Sequence, residues 1–237
     1  VFYELFPDAS ANLVLRLSPQ GARLVLLGPK TEKAGTEIHE AADYYVIRFR
    51  PGQTLRLTPD LGVARPEELV NACLELPSLC GRSLDEVAER LLTLPDHAAR
   101  GRMLDGLLRA ARPIVRDEGC RQAAAFIDAA NGVCRVRDVA DALGLHPRSL
   151  ERRFNEHLGL APKTLCRLVR LQRLLLRVRS GGFKSLADLA FEHGYADQAH
   201  MIHDVKELTG LSPARTSAGR PLPEDALQTR IVHRYRP

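Results

Sequence analysis

The sequence predicts an α+β fold in two unlike parts: a small N-terminal antiparallel β unit with attendant helices, then an all-α region. Three observations predict it. Apolar and polar residues alternate with period two over the first 60 residues, helical spacing takes over from about Pro66, and the all-α part contains an internal repeat. With 237 residues, 45% of them hydrophobic and 27% charged, the chain can bury one large core or two small ones, which excludes a disordered tail.

Taken in order, "NLVLRLSPQG" puts Leu13, Leu15 and Leu17 on one face and Arg16 and Ser18 on the other before a turn, and "RLVLLGP" from Arg23 reads as the return strand. "YYVIRFRPGQ" sets Tyr45, Ile47 and Phe49 opposite Val46, Arg48 and Arg50, and "QTLRLTPD" alternates again at Leu55 and Leu57. So few strands need a covering element. "SLDEVAERLLTL" supplies one, with Ser83 placed to cap, Glu86 three residues on, and Leu84, Val87, Leu91 and Leu94 at helical steps. "HAARGRMLDGLLRAARP" continues with Met103, Leu104, Leu107 and Leu108 until Pro113. Their apolar stripe suits either the sheet or a dimer seam.

Charge is unevenly divided. Residues 1–113 hold 14 Lys+Arg against 15 Asp+Glu, whereas residues 114–237 hold 20 against 14. A neutral unit joined to a basic one points to a polyanion as partner of the second. No apolar run approaches the roughly 20 residues of a membrane span and the start lacks a signal-peptide pattern, so a soluble, cytoplasmic chain without a membrane partner is expected. Cys73, Cys80, Cys120, Cys134 and Cys166 include no C-x-x-C pair; reduced thiols are expected, with no metal site and no cofactor.

The repeat lies in the basic half. "DVADALGLHPRSLERRFNEHLGLAP" from Asp138 parallels "DLAFEHGYADQAHMIHDVKELTGLSP" from Asp188. The interval from Asp to Gly144 or Gly194 is six in both, the next is 15 to Gly159 and 16 to Gly210, and Pro162 and Pro213 follow at three. Each copy reads as a short helix, a turn at glycine and a longer helix, the helix-turn-helix layout. In the first, Val136, Val139, Ala140 and Leu143 make one apolar face, and Leu150, Phe154 and Leu158 face inward on a helix starting at Pro147. The outward face carries Arg148, Glu151, Arg152 and Asn155. Guanidinium can bond guanine in bidentate fashion, Asn adenine, and Glu the amino group of cytosine, so these side chains suit base reading, although any helix also needs a solvated face.

In the second copy Leu186, Leu189 and Ala190 support, while Met201, Val205 and Leu208 anchor. The opposite face holds Gln198, Ala199, Ile202, His203 and Lys206, diluted by Asp197, Asp204 and Glu207. It suits backbone positioning and a thymine-methyl contact from Ile202 better than hydrogen-bonded readout. His193, His200 and His203 lack the companions of a metal site. Between the copies "PKTLCRLVRLQRLLLRVRSGGFK" has no acid from His157 to Ala187. Leu165, Leu168, Val169, Leu171, Leu174, Leu175 and Val178 make it a helix that Gly181 and Gly182 end. About 18 residues at ~1.5 Å give ~27 Å, close to one turn of DNA, so this bridge could set two reading helices in successive major grooves. Lys163, Arg167, Arg170, Arg173 and Lys206 would then meet phosphates.

These segments, "LERRFNEHLGLAP", "RLQRLLL", "LADLAFEHGYADQAHM" and "KELTGLSPAR", resemble the DNA-binding domain of AraC/XylS-type transcription regulators from about Asp117 to Arg215. The G-[FY]-x-D-Q segment and the paired G-x-x-P turns carry the resemblance. It implies that Arg148, Glu151 and Arg152, with Gln198, Ala199 and His203, lie near bases. An aromatic residue is usual where Val205 stands, and a tyrosine commonly follows the last proline where this chain has "PARTS". "PDASANLVLRL", "RFRPG" and "ELVNACLEL" resemble, more loosely, a short sensor domain of some members, which implies a cupin-like β unit.

The expected organisation is therefore a β-rich sensor or effector domain over 1–81, helical connectors with dimerisation potential over 82–115, a DNA-binding domain over 116–217 and an extension over 218–237. The function this implies is a sequence-specific activator of transcription whose partners are double-stranded promoter DNA, a small-molecule effector, RNA polymerase and a second copy of the chain. No G-x-S-x-G, H-E-x-x-H or P-loop pattern supports an enzyme, and His39 between Glu37 and Glu40 fits an exposed loop. A protein-binding adaptor is the alternative.

Overall fold

The computed structural model describes residues 2–37, 42–52, 66–110 and 117–218. β2 (Asn12–Ser18) and β3 (Gly21–Leu27) follow β1 (Phe2–Leu5) and form the expected hairpin, with Ser18 opposite Gly21. After β4 (Ala34–Glu37), β5 (Asp43–Arg48) adds to the other side of β2, and β6 (Cys73–Glu75) adds to β3. The result is an antiparallel sheet in the order β5-β2-β3-β6, with β1 paired to β4, and β7 (Ser78–Leu79) paired to β8 (Arg82–Ser83), as separate ribbons.

Alternation decides which face is buried. Leu13, Leu15, Leu17, Leu24, Leu26, Tyr45, Ile47 and Phe49 are all inside. α1 (Leu84–Leu92) and α2 (His97–Ala110) close over them through Val87, Leu91, Leu104 and Leu108. The apolar stripe on these helices is thus turned to the sheet. Ser83 caps α1 as its sequence predicts, its side chain accepting from the Glu86 N–H at 3.2 Å. The strand expected at Leu55 and Leu57, the helix stop at Pro113, the loop at His39 and the extension from residue 219 lie outside the described residues.

Seven helices follow among the described residues: α3 (Glu118–Ala129), α4 (Val136–Ala142), α5 (Pro147–Leu158), α6 (Pro162–Ser180), α7 (Leu186–Glu192), α8 (Gln198–Thr209) and α9 (Pro213–Ala218). The repeat proves to be helix punctuation. The Asp138 carboxylate accepts from the Arg135 N–H at 3.3 Å, and Asp188 exchanges hydrogen bonds with Ser185, each fixing the start of a short helix. Gly159 and Gly210 end the long helices in the left-handed region at φ 67° and 71°, where a side chain is strained, and Pro162 and Pro213 open the next helices. α6 runs 19 residues, about 28 Å, between the two units.

Two cores form on this frame. Val139, Ala140, Leu150 and Phe154 pack with Ala123, Ile127 and the first half of α6, while Leu189, Ala190, Met201 and Val205 pack with the second half. The N-terminal unit reaches both. Asp8 accepts from Arg48 and from the Ser10 N–H at 2.9 Å, and its backbone bridges Lys30, so the short segment between β1 and β2 is held rigidly. From that segment Phe6 enters the second core and Ala9 the first, and the Pro7 carbonyl accepts from Gln172 on α6.

Candidate nucleic-acid interface

α5 and α8 are positioned by the same local rules. Pro147 opens α5 and His146 accepts from the Arg148 N–H at 3.3 Å; Asp197 caps α8 by accepting from the His200 N–H at 2.7 Å. Leu150 and Phe154 in α5, like Met201 and Val205 in α8, are fully buried, so the opposite faces must point outward. Arg148, Glu151, Arg152 and Asn155 are all exposed on α5, and among the described residues the one ion pair formed there joins Arg152 loosely to Glu156 at 3.9 Å. On α8 Gln198, Ala199, His203 and Lys206 are exposed, while Ile202 is half-buried and packs against the second core.

Counting back eleven, eight, seven and four residues from Gly159 and Gly210 pairs Arg148 with Ala199, Glu151 with Ile202, Arg152 with His203, and Asn155 with Lys206. The first face thus offers four exposed polar groups able to hydrogen-bond base edges. The second offers a methyl, a hydrophobe, an imidazole 4.0 Å from Glu207, and an ammonium.

Six residues before each glycine stands a charge of opposite sign, Arg153 in α5 and Asp204 in α8. Arg153 donates to Asp117, the residue that caps α3, at 2.9 Å and 3.1 Å. Burial raises the Asp117 pKa, but the Cys120 N–H, Arg153 and His157 outweigh it and hold the carboxyl below its ordinary value. Asp204 is buried and accepts from Arg167 of α6 at 2.7 Å and from the Tyr195 hydroxyl at 3.0 Å, while Arg167 also reaches Glu207 at 3.0 Å. Each of these helices is therefore bolted to the scaffold by charges at equivalent positions, Arg153 of α5 on Asp117 and Asp204 of α8 on Arg167. Sequence reasoning missed both bolts, taking Asp204 only as a diluent of positive charge; the signal was opposite charges at equivalent positions of the repeat.

The basic stripe of α6 has a different placement from the one its composition suggests. Arg170 donates to the Gly132 carbonyl at 3.0 Å and lies 5.0 Å over the Tyr195 ring, Arg173 donates to Asp128 at 2.9 Å, and Arg177 donates to Glu192 at 3.0 Å. With Arg167, these guanidiniums strut α6 against α3, α7 and α8. Lys163, at the start of α6, and Lys206, on α8, are exposed. His200 sets its edge on the Tyr195 ring at 5.4 Å, and His193 is half-buried, which lowers its pKa. Among the described residues no group of three or more His, Cys, Asp or Glu side chains could hold a metal, and no helix is long and apolar enough to cross a membrane.

Comparison with known proteins agrees with this geometry. Residues 139–219 match the family model described as a helix-turn-helix domain. No curated protein is matched. Among solved structures, an apo variant of ToxT from Vibrio cholerae superposes over 92% of this chain and 92% of its own, with TM-score 0.50 and 14% identity, so the fold is similar along nearly the whole length. The C-terminal domain of AraT, a response regulator from Geobacillus stearothermophilus, covers 46% of this chain and 91% of its own at 22% identity and TM-score 0.42. A transcriptional regulator with an AraC-type DNA-binding domain from Chromobacterium violaceum covers 44% and 94% at 23% identity and TM-score 0.40. On the family match and the paired geometry of α4–α5 and α7–α8, residues 139–219 form a helix-turn-helix domain.

Proposed function

We propose that the chain is a sequence-specific activator of transcription that reads two adjacent major grooves of promoter DNA, α5 in one and α8 in the next. The observation that carries this is the exposed set Arg148, Glu151, Arg152 and Asn155 on a helix whose other face is fully buried. In this reading α5 discriminates bases through those four groups. α8 supplies Gln198, Ala199, Ile202 and His203, with Ile202 meeting a thymine methyl at the edge of its own core. Lys163 and Lys206 contact phosphate directly. Arg167, Arg170 and Arg173 serve the phosphates indirectly, by holding the two reading helices on α6 in fixed register. Residues 1–81 act as the sensor of a small-molecule effector, 82–115 as connector and dimer element, and RNA polymerase is the downstream partner.

The test is binding of the purified chain to labelled DNA from upstream of its own coding region and to scrambled DNA across a salt series. Preference for the upstream fragment with a steep salt slope is the expected result, because phosphate contacts release counterions. Salt-insensitive binding, or none, would overturn the DNA reading in favour of a protein-binding adaptor.

A further inference from the structure

The connection between α3 and α4 holds Cys134, and the second turn of α6 holds Cys166; their sulfurs lie 3.8 Å apart. No other pair of the five cysteines is in sulfur contact among the described residues. The approach is enforced from both sides. A Cβ on Gly132 would fall 2.3 Å from the Cys166 carbonyl oxygen, so backbone lies on backbone there, and Arg170 donates to the Gly132 carbonyl at 3.0 Å. The segment enclosed between the two cysteines, residues 135–165, contains the whole of α4 and α5.

We propose that Cys134 and Cys166 are an oxidisable pair which closes to a disulfide under a hydroperoxide and covalently shuts the first helix-turn-helix unit against the linker helix. Cys134, half-buried, meets the oxidant first. Its thiolate sulfur bonds the terminal peroxide oxygen, the O–O bond breaks, and hydroxide or an alkoxide leaves, taking up from solvent the proton that Cys134 lost on ionising, to give a sulfenic acid and water or an alcohol. The Cys166 sulfur then attacks the sulfenic sulfur, hydroxide departs and takes the Cys166 proton as water, and the two thiols have passed two electrons to the peroxide. Closure brings the sulfurs to about 2.0 Å, a movement the Gly132 contact directs into the start of α4. Burial pushes both thiols up, Cys166 to about 12, and the neighbouring Cys166 thiol and Arg170 draw Cys134 part of the way back. The reaction therefore speeds up as pH rises.

The full chain is treated with hydrogen peroxide, alkylated, digested and analysed by mass spectrometry, with backbone hydrogen exchange measured on oxidised and reduced protein. Expected are the loss of two of the five titratable thiols, a peptide pair linked through Cys134 and Cys166, and slower exchange in α4 and α5 than in α7 and α8. Dithiothreitol should reverse all three, and Cys134→Ser should show none. A linkage through Cys80 or Cys120, a sulfinic acid on Cys134 with no linked peptide, or a linked peptide with unchanged exchange in α4 and α5 would each overturn the proposal. The thiol count on the unsubstituted chain keeps the test decisive should Cys134→Ser fold poorly.

Discussion

The two helix-turn-helix units are built from one repeat yet differ in what holds them and in what they present. The first exposes four polar side chains and is anchored through Arg153, whose side chain is 37% exposed, on Asp117, 15% exposed. The second presents a blander face and is anchored through Asp204, which takes both Arg167 and the Tyr195 hydroxyl; its carboxylate is 10% exposed against 15% for Asp117, and Arg167 is 28% exposed, so its pair is modestly deeper. A buried anchor fixes a helix more rigidly than an exposed one, because water competes less for the charges. Under the proposed function, this contrast predicts a division of labour in which the first unit discriminates and the second sets register.

The largest test strikes the deeper anchor. Asp204→Ala strips Arg167 of its inner partner and leaves the Tyr195 hydroxyl bare; allowing for the partial exposure of Arg167, the expected cost is about 2–3 kcal/mol in urea unfolding. Arg153→Ala in the first unit should cost under about 1 kcal/mol, since its pair is screened. Equal losses would erase the asymmetry. At the DNA, Arg152→Ala should relax one base position by roughly 1–3 kcal/mol in competition against single-base variants of the bound fragment, while His203→Ala at the matching position changes discrimination by less than about 1 kcal/mol.

A pH titration sharpens the same contrast. The folded pKa of Asp117 lies below its unfolded value, so its contribution is fully present above the unfolded pKa and is lost as pH falls through the folded one. The stability difference between the unsubstituted chain and Asp117→Ala, about 1 kcal/mol for a helix cap, should thus be constant above roughly pH 5 and shrink in acid. A difference that grows in acid would refute the assignment. Smallest is Lys163→Ala, which should lower the salt slope of binding by about 1 on upstream and scrambled DNA alike, with base preference unchanged.

Much of this was legible in the sequence because it is written in local rules. Period-two leucines placed β2 and β3, Ser83 placed the start of α1, and the glycine and proline intervals of the repeat set the order of α4 to α8, with α9 unread. The outward faces of α5 and α8 followed from helical period alone. What could not be read was pairing across distance. That Arg167 turns to Asp204, 37 residues away, and Arg173 to Asp128, 45 away, depends on how helices cross, so a stripe of arginines read as a phosphate rail is in large part internal bracing. Phe6 and Ala9 carried no signal either, because their burial is supplied by helices from the other end of the chain.

That last feature bears on how the molecule can be divided. Phe6 belongs to the buried apolar cluster that includes Leu171, Leu174 and Leu175, and Ala9 to the one that includes Cys120, Ala123 and Ala124, so removing either leaves a hollow. A fragment beginning at Asp117 would bare both hollows to water, and such a fragment should be sticky and poorly soluble although every helix of the reading module is intact. A synthetic peptide spanning residues 2–10, added in trans, should restore its solubility; β1 and the turn after it are, in effect, a piece of the C-terminal module supplied from more than 100 residues away in the sequence.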